Sequence, residues 1–256
     1  MLIDADCHIS PTPQGGNSVT IDQLLRRMDR SEVERALTWL QPPYERGQVD
    51  QGNAYVHEAM RAHPDRILGF GWADPNLGVE RAKETARRCV EEYSFFGVKL
   101  NGAQNWFVID DATISLPVVE EIAKLGVILA LHIGADAYEN THPARAGHIA
   151  ELFPEIPILM IHMGGAAFHD LSRAAIEVAQ KHPNITIIGS AVRPIPILRA
   201  IKALGAERVC FGSDTPFELM HVELAKYRAL LDGEIDAEGQ AAIFGRNIAR
   251  LLGLDA

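Results

Sequence analysis

Leu2-Ile3-Asp4-Ala5-Asp6-Cys7-His8-Ile9 opens the chain as a strand-like run. Side chains alternate along a strand, so Asp4, Asp6 and His8 share one face while Ile3, Cys7 and Ile9 point to an apolar side. Three groups with metal-ligand chemistry therefore converge at once. The bland alternative is a solvated edge strand with its polar residues outward. Beyond this run, short apolar stretches alternate with amphipathic ones to the end of the chain. The pattern predicts strands near residues 2–9, 35–41, 67–73, 96–101, 126–133, 156–163, 185–191 and 208–213. Helical patterns lie between them over 21–28, 54–61, 79–93, 116–125, 144–152, 171–181, 195–204 and 222–231, with a last one over 237–252.

Strand-then-helix units of about thirty residues, repeated eight times, fit an α/β fold of the (β/α)8 TIM-barrel type with a C-terminal bracing helix. The competing fold, an open doubly wound sheet, normally places a glycine-rich phosphate loop after its first strand. Asp6-Cys7-His8 stands there instead. The segment Phe244-Gly245-Arg246-Asn247 reads as a turn between helices. No linker or low-complexity stretch divides residues 1–256, so one domain is expected.

The 256 residues are 47% hydrophobic and 23% charged, ordinary for a globular protein with a sizeable core. A net charge of -10 argues against nucleic acid and against an anionic membrane surface as partners. Cys7, Cys89 and Cys210 are far apart and odd in number, which supports neither a disulfide framework nor a thiolate metal site. With no secretory signal or membrane-length apolar run, a cytoplasmic protein is expected, with a homo-oligomer left open.

In a parallel barrel, catalytic groups gather where strands end, because all strand C-termini face one way. The fourth strand ends at Lys99-Leu100-Asn101, the fifth at His132, the sixth at His162-Met163-Gly164-Gly165 and the eighth at Ser213-Asp214. Asp6, His8, Lys99, His132, His162 and Asp214 would ring one mouth. Alone, a strand-end His is more often structural and a strand-end Asp more often a helix cap. Independent capping roles do not require them all at one end. Two imidazoles, His8 and His132, with two carboxylates, Asp6 and Asp214, suit one divalent metal, Zn²⁺ or Mn²⁺. Asp214 would both ligate the metal and move a proton, and His162 would hydrogen-bond a carbonyl or developing oxyanion.

This chain resembles the amidohydrolase superfamily, and within it the amidohydrolase-related group that includes aminocarboxymuconate semialdehyde decarboxylase and resorcylate-type decarboxylases. The resemblance rests on Ile3 to His8, His132, His162 to Gly165, Phe211 to Phe217, and Asn247 with Leu251-Leu252. It implies a metal-bearing (β/α)8 barrel. The common first-strand pattern is His-x-His, whereas this chain has Asp6-Cys7-His8, an acid in the first ligand slot. Some decarboxylases of the group look similar there. The added negative charge favours manganese relative to zinc. In binuclear relatives a carboxylated lysine bridges two metals; here Lys99 is read as a contact to a substrate carboxylate beside a single ion.

Trp72, Asn101, Trp106, Arg145, Arg193 and Phe217 complete the expected substrate contacts, the two arginines as carboxylate binders. His142 and His169 are read as structural. The primary expectation is a metal-dependent hydrolase of a small carboxylated lactone, ester or amide, because the chain lacks room for the long insertions of decarboxylases. The alternative is non-oxidative decarboxylation of an aromatic or unsaturated acid at the same site, which the acid at Asp6 favours. A metal-free, non-catalytic barrel is the third reading and predicts an eroded ligand set.

Overall fold

A computed structural model of the chain describes residues 1–12, 18–41, 46–134, 136–165 and 170–254. The first strand, β1 (Ile3–Ile9), is buried along its whole length, which excludes a solvated edge strand. It pairs in parallel with β2 (Arg35–Leu40), which pairs in turn with β3 (Ile67–Gly69). A second parallel sheet runs in the order β4 (Gly71–Ala73), β5 (Gly97–Leu100), β6 (Ile128–His132), β7 (Ile158–Ile161), β8 (Ile185–Ile188) and β9 (Val209–Cys210).

The strand expected over 67–73 is thus read as two pieces flanking Phe70. The piece before it pairs with β2, the piece after it pairs with β5, and the Phe70 N–H donates to Thr38 O at 2.9 Å. One strand position bridges two neighbours with little overlap. Past β9 the backbone runs along β1: Ala5 N–H donates to Phe211 O at 3.1 Å and His8 N–H to Thr215 O at 2.7 Å. The succession of parallel strands is that of the expected (β/α)8 architecture.

Between the strands lie α1 (Ile21–Ser31), α2 (Val49–Ala62), α3 (Val79–Arg87), α4 (Leu116–Lys124), α5 (Tyr138–Thr141), α6 (Pro143–Leu152), α7 (Ser172–Lys181), α8 (Pro194–Leu204) and α9 (Met220–Leu231). Their starts follow local chemistry. Thr20 and Gln23 form a capping box at α1, with Thr20 N–H donating to Gln23 Oε1 at 2.8 Å. Proline occupies the first turn of α4, α6 and α8, where its missing N–H costs nothing. In α1, Leu24 and Met28 are the buried stripe, four residues apart on one face. Strands such as Ile158-Leu159-Met160-Ile161 are aliphatic on both faces because both are covered. Each such side chain contributes roughly 1.5–3 kcal/mol by leaving water.

The C-terminal segment differs from expectation. Phe244 to Asn247 is no turn: a π-helical turn, Ala242–Arg246, joins α10 (Ala237–Ala241) to α11 (Asn247–Leu251) without a break. The glycine serves close approach instead. A Cβ at Gly245 would lie 2.6 Å from Met1 O, so the helix rests against the entry to β1 and braces it. No helix among the described residues is long and apolar enough to cross a membrane.

Candidate functional site

Asp6 and His8 leave β1 two residues apart and therefore on one side, as the alternation predicts. The pairing register with β2 shifts between Asp4 and Cys7, a local irregularity of the kind that re-aims side chains near sites. The His8 Nδ1–H donates to Leu40 O at 2.8 Å, since a carbonyl can only accept. Its Nε2 keeps the lone pair, which accepts from Trp39 Nε1–H at 2.9 Å. Asp214 stands at φ 57°, a left-handed conformation unusual for a residue with a side chain, just beyond the last strand. His8 Nε2 lies 3.6 Å from Asp6 Oδ1 and 3.6 Å from Asp214 Oδ1. One ligand atom from each of the three residues falls within 4.8 Å of the others, and all three are buried.

That donor set fits a divalent cation on electrostatic grounds. Burial, and then the neighbouring Asp6, push the Asp214 carboxyl well above the usual carboxylate range. Burial and the nearby Lys99 push His8 well below its ordinary value, so its imidazole is neutral and able to ligate. A cation between two buried carboxylates offsets their repulsion, and two carboxylate oxygens with one imidazole nitrogen suit Zn²⁺ or Mn²⁺.

Asp4 supports this set from behind. Its Oδ1 accepts from Ser213 N–H at 2.8 Å and Asp6 N–H at 3.1 Å, tying together the two segments that carry Asp6 and Asp214. Burial raises its carboxyl to about 7 against the pull of those bonds. Asp6 is held at both oxygens: Oδ1 accepts from Trp39 Nε1–H at 3.1 Å and Oδ2 accepts from the Ser190 hydroxyl. Ser190 also orients His162, whose Nδ1–H is shared between Ser190 O at 3.1 Å and Oγ at 3.0 Å. The His162 Nε2 lone pair therefore stays available. Burial and the adjacent His132 lower its pKa to about 3, so the ring is neutral. His162 and Met163 both have left-handed backbones, at φ 66° and 42°, a second place where strain gathers at the strand ends.

His132 shares the cavity, with its ring centroid 4.7 Å from that of His162. Its Nε2, however, bonds Asp136 Oδ1 at 3.0 Å, and the convergent triad does not include it. Burial raises the Asp136 carboxyl, but the hydrogen bond to His132 holds it down to about 2. Lys99 is wholly buried, and its Nζ finds no hydrogen-bond partner among the described residues. The ammonium lies 4.0 Å from the centroid of the Trp39 ring and 5.3 Å from that of Trp72. Burial lowers it to about 8, against the attraction of Asp6, Asp214 and Asp136.

A cavity of about 210 Å³ opens onto these groups. Of the expected residues, His8, Lys99, Asn101, His132, His162, Asp214 and Phe217 line it. Phe217 sets its ring edge-on to His8 at 5.6 Å. The Asn101 side-chain oxygen is used locally, accepting from Ala103 N–H and Gln104 N–H. Trp72 lies behind the wall, its Nε1–H donating to Asn105 Oδ1 at 2.7 Å.

Besides Trp72, three further expected contacts do not line the cavity. Trp106 is 72% exposed, Arg193 is exposed at the start of α8, and Arg145 pairs with Asp110 at 2.6 Å. His142 caps α6 by accepting from Ala144 N–H at 3.1 Å, the structural role expected; His169 lies outside the described residues.

Sequence reasoning passed over Trp39, Ser190 and Asp136. The signal for the first two was available, because both stand at strand ends, those of β2 and β8, where the barrel rule looks for chemistry. The non-catalytic reading required an eroded ligand set, whereas Asp6, His8 and Asp214 converge.

The amidohydrolase family model matches residues 3–254. The chain is 26% identical to the gamma-resorcylate decarboxylase of Rhodococcus jostii (strain RHA1), over 91% of this chain and 88% of that one. It is 24% identical to the gamma-resorcylate decarboxylase of Polaromonas sp. (strain JS666), over 77% of each. It also shares its fold, at a TM-score of 0.77 and 20% identity over 98% of this chain and 96% of the other, with a dihydroxybenzoic acid decarboxylase from Polaromonas sp. JS666 solved with bound manganese and the inhibitor 2-nitroresorcinol.

These relatives correct the expectation of a hydrolase. That expectation rested on a chain too short for decarboxylase insertions, yet the alignment spans 88% of the Rhodococcus enzyme. With the family model covering the chain nearly end to end, the protein belongs to the amidohydrolase family.

Proposed function

We propose that this protein is a metal-dependent, non-oxidative decarboxylase of a small aromatic acid carrying an oxygen beside its carboxylate. One observation carries the reading: the buried Asp6, His8 and Asp214 triad lies in a chain aligned over 91% of its length with a gamma-resorcylate decarboxylase. Asp6, His8 and Asp214, with His132 as a further imidazole, are the residues that would hold the ion. When bound, a divalent ion would take up the carboxylate and adjacent oxygen and stabilise the negative charge there.

In the overall reaction a proton is added to the ring carbon that bears the carboxylate. The carbon–carbon bond breaks, its electron pair returns to the ring, and carbon dioxide leaves. Asp214 is the group assigned to deliver that proton, because it faces the cavity and has a second carboxylate oxygen to carry it. His162, its Nδ1–H committed to Ser190, offers Nε2 as an acceptor for a substrate hydroxyl. Lys99, buried without a hydrogen-bond partner among the described residues, is assigned an anionic oxygen of the substrate. Phe217 and the buried strand ends keep water from the ring.

The test is incubation of the Mn²⁺-loaded protein with 2,6-dihydroxybenzoate and a panel of ortho-hydroxylated aromatic acids, with released carbon dioxide and the decarboxylated ring both quantified. Stoichiometric formation of the two products is expected. Carbon dioxide from none of the acids, with metal bound, would overturn the assignment.

A further inference from the structure

Trp39 is wholly buried at the end of β2, and its indole Nε1–H meets two acceptors at once: His8 Nε2 at 2.9 Å and Asp6 Oδ1 at 3.1 Å. The two acceptors differ in capacity. With Nδ1–H given to Leu40 O, His8 has a single lone pair, at Nε2, which can serve the indole or a cation but not both. A carboxylate oxygen has room for both.

We propose that Trp39 guards the metal site: in the metal-free protein its N–H occupies His8 Nε2 and Asp6 Oδ1, and it gives up the His8 nitrogen to the incoming divalent cation and rests on Asp6 alone. The inference rests on the assignment of Asp6, His8 and Asp214 as metal ligands. A face of the ring is engaged as well, since Lys99 Nζ stands 4.0 Å from its centroid. That contact makes Trp39→Phe informative. Phenylalanine keeps a ring beside the lysine and removes only the N–H and the outer part of the indole.

The consequence runs against intuition. In Trp39→Phe protein without metal, both His8 Nε2 and Asp6 Oδ1 lose their donor. In loaded protein only Asp6 does, because the cation has replaced the indole at His8. The substitution therefore harms the metal-free state more, and by linkage the variant binds the cation more tightly. One hydrogen bond of about 1.4 kcal/mol corresponds to about tenfold. A tryptophan that merely packs would lower the melting temperature and leave affinity unchanged.

Zn²⁺ is the probe, being diamagnetic, and two readouts follow its binding: calorimetry on wild type and Trp39→Phe, and the indole N–H resonances of ¹⁵N-tryptophan-labelled protein. The chain has three tryptophans. Trp72 donates to Asn105 and Trp106 is exposed, so their resonances should stay in place. The third, absent from Trp39→Phe, should move on saturation with Zn²⁺.

Equal or weaker Zn²⁺ affinity in the variant, or Zn²⁺ binding with no movement of a buried indole, would overturn the inference. Should Trp39→Phe not fold, the wild-type titration decides alone. Failure to bind Zn²⁺ at all would remove the metal assignment together with this inference. A moving indole in a protein that releases no carbon dioxide would instead sink only the proposed reaction.

Discussion

Replacing Lys99 by methionine should make the protein more stable while impairing it. Lys99 is wholly buried, and burial lowers its pKa from 10.5 to about 8. At ~1.4 kcal/mol per tenfold change, keeping the ammonium charged in the folded protein costs about 3 kcal/mol. The two ring contacts at 4.0 Å and 5.3 Å return up to about 2 kcal/mol of that. Methionine fills similar space without a charge, so Lys99→Met should gain about 1 kcal/mol at pH 7, or about 3 °C in a chain of this size.

The sign follows from the depressed value. Below pH 8 both folded and unfolded chains carry the charge and the full cost applies. Between pH 8 and 10.5 the folded state sheds its proton first and the cost shrinks; above 10.5 it vanishes. A bound divalent cation adds repulsion, so the direction holds for loaded protein too. Urea unfolding of wild type and variant across pH 7 to 10.5 measures the gap, and the KM for 2,6-dihydroxybenzoate should rise at least tenfold. A variant less stable than wild type at pH 7, or a gap that widens with pH, would refute the argument.

Asp214→Asn should reduce carbon dioxide release by at least about a thousandfold while leaving the far-ultraviolet circular dichroism unchanged, because it removes a ligand charge and the proton carrier together. Exhaustive chelation should abolish turnover and lower the melting temperature, with Mn²⁺ restoring both; a fully active chelated enzyme would contradict the metal assignment. Gly97→Ala should cost at least about 2 kcal/mol in urea unfolding, because a methyl group there runs into Ile128 O and the Phe70 ring in the wall of the sheet.

Much of the site was readable because strand geometry is local. Two residues apart in a strand means the same face, whatever the rest of the chain does, so Asp6 and His8 could be paired from β1 alone. The strand-end rule then brought in Asp214, His162, His132 and Lys99, and the cavity does collect all of them. Where the reading went astray, the answer lay in conformations that sequence spacing does not encode. Arg145 follows the expected barrel mouth in order, yet it finds Asp110 and turns away. Trp106, also expected at the mouth, is 72% exposed and does not line the cavity.

By itself, then, the sequence determined the parallel α/β plan, through its eightfold alternation of apolar and amphipathic runs, and the chemistry of the first strand, through the two-residue period of its side chains. Tertiary structure alone decided which distant groups meet. Asp214 reaches His8 from the far end of the chain, Ser190 links Asp6 to His162, and Trp39 sets one N–H between His8 Nε2 and Asp6 Oδ1. The physical reason is that hydrogen-bond partners and ion-pair distances depend on how the strands wrap around one another and on the left-handed turns at His162 and Asp214. Long-range packing sets both.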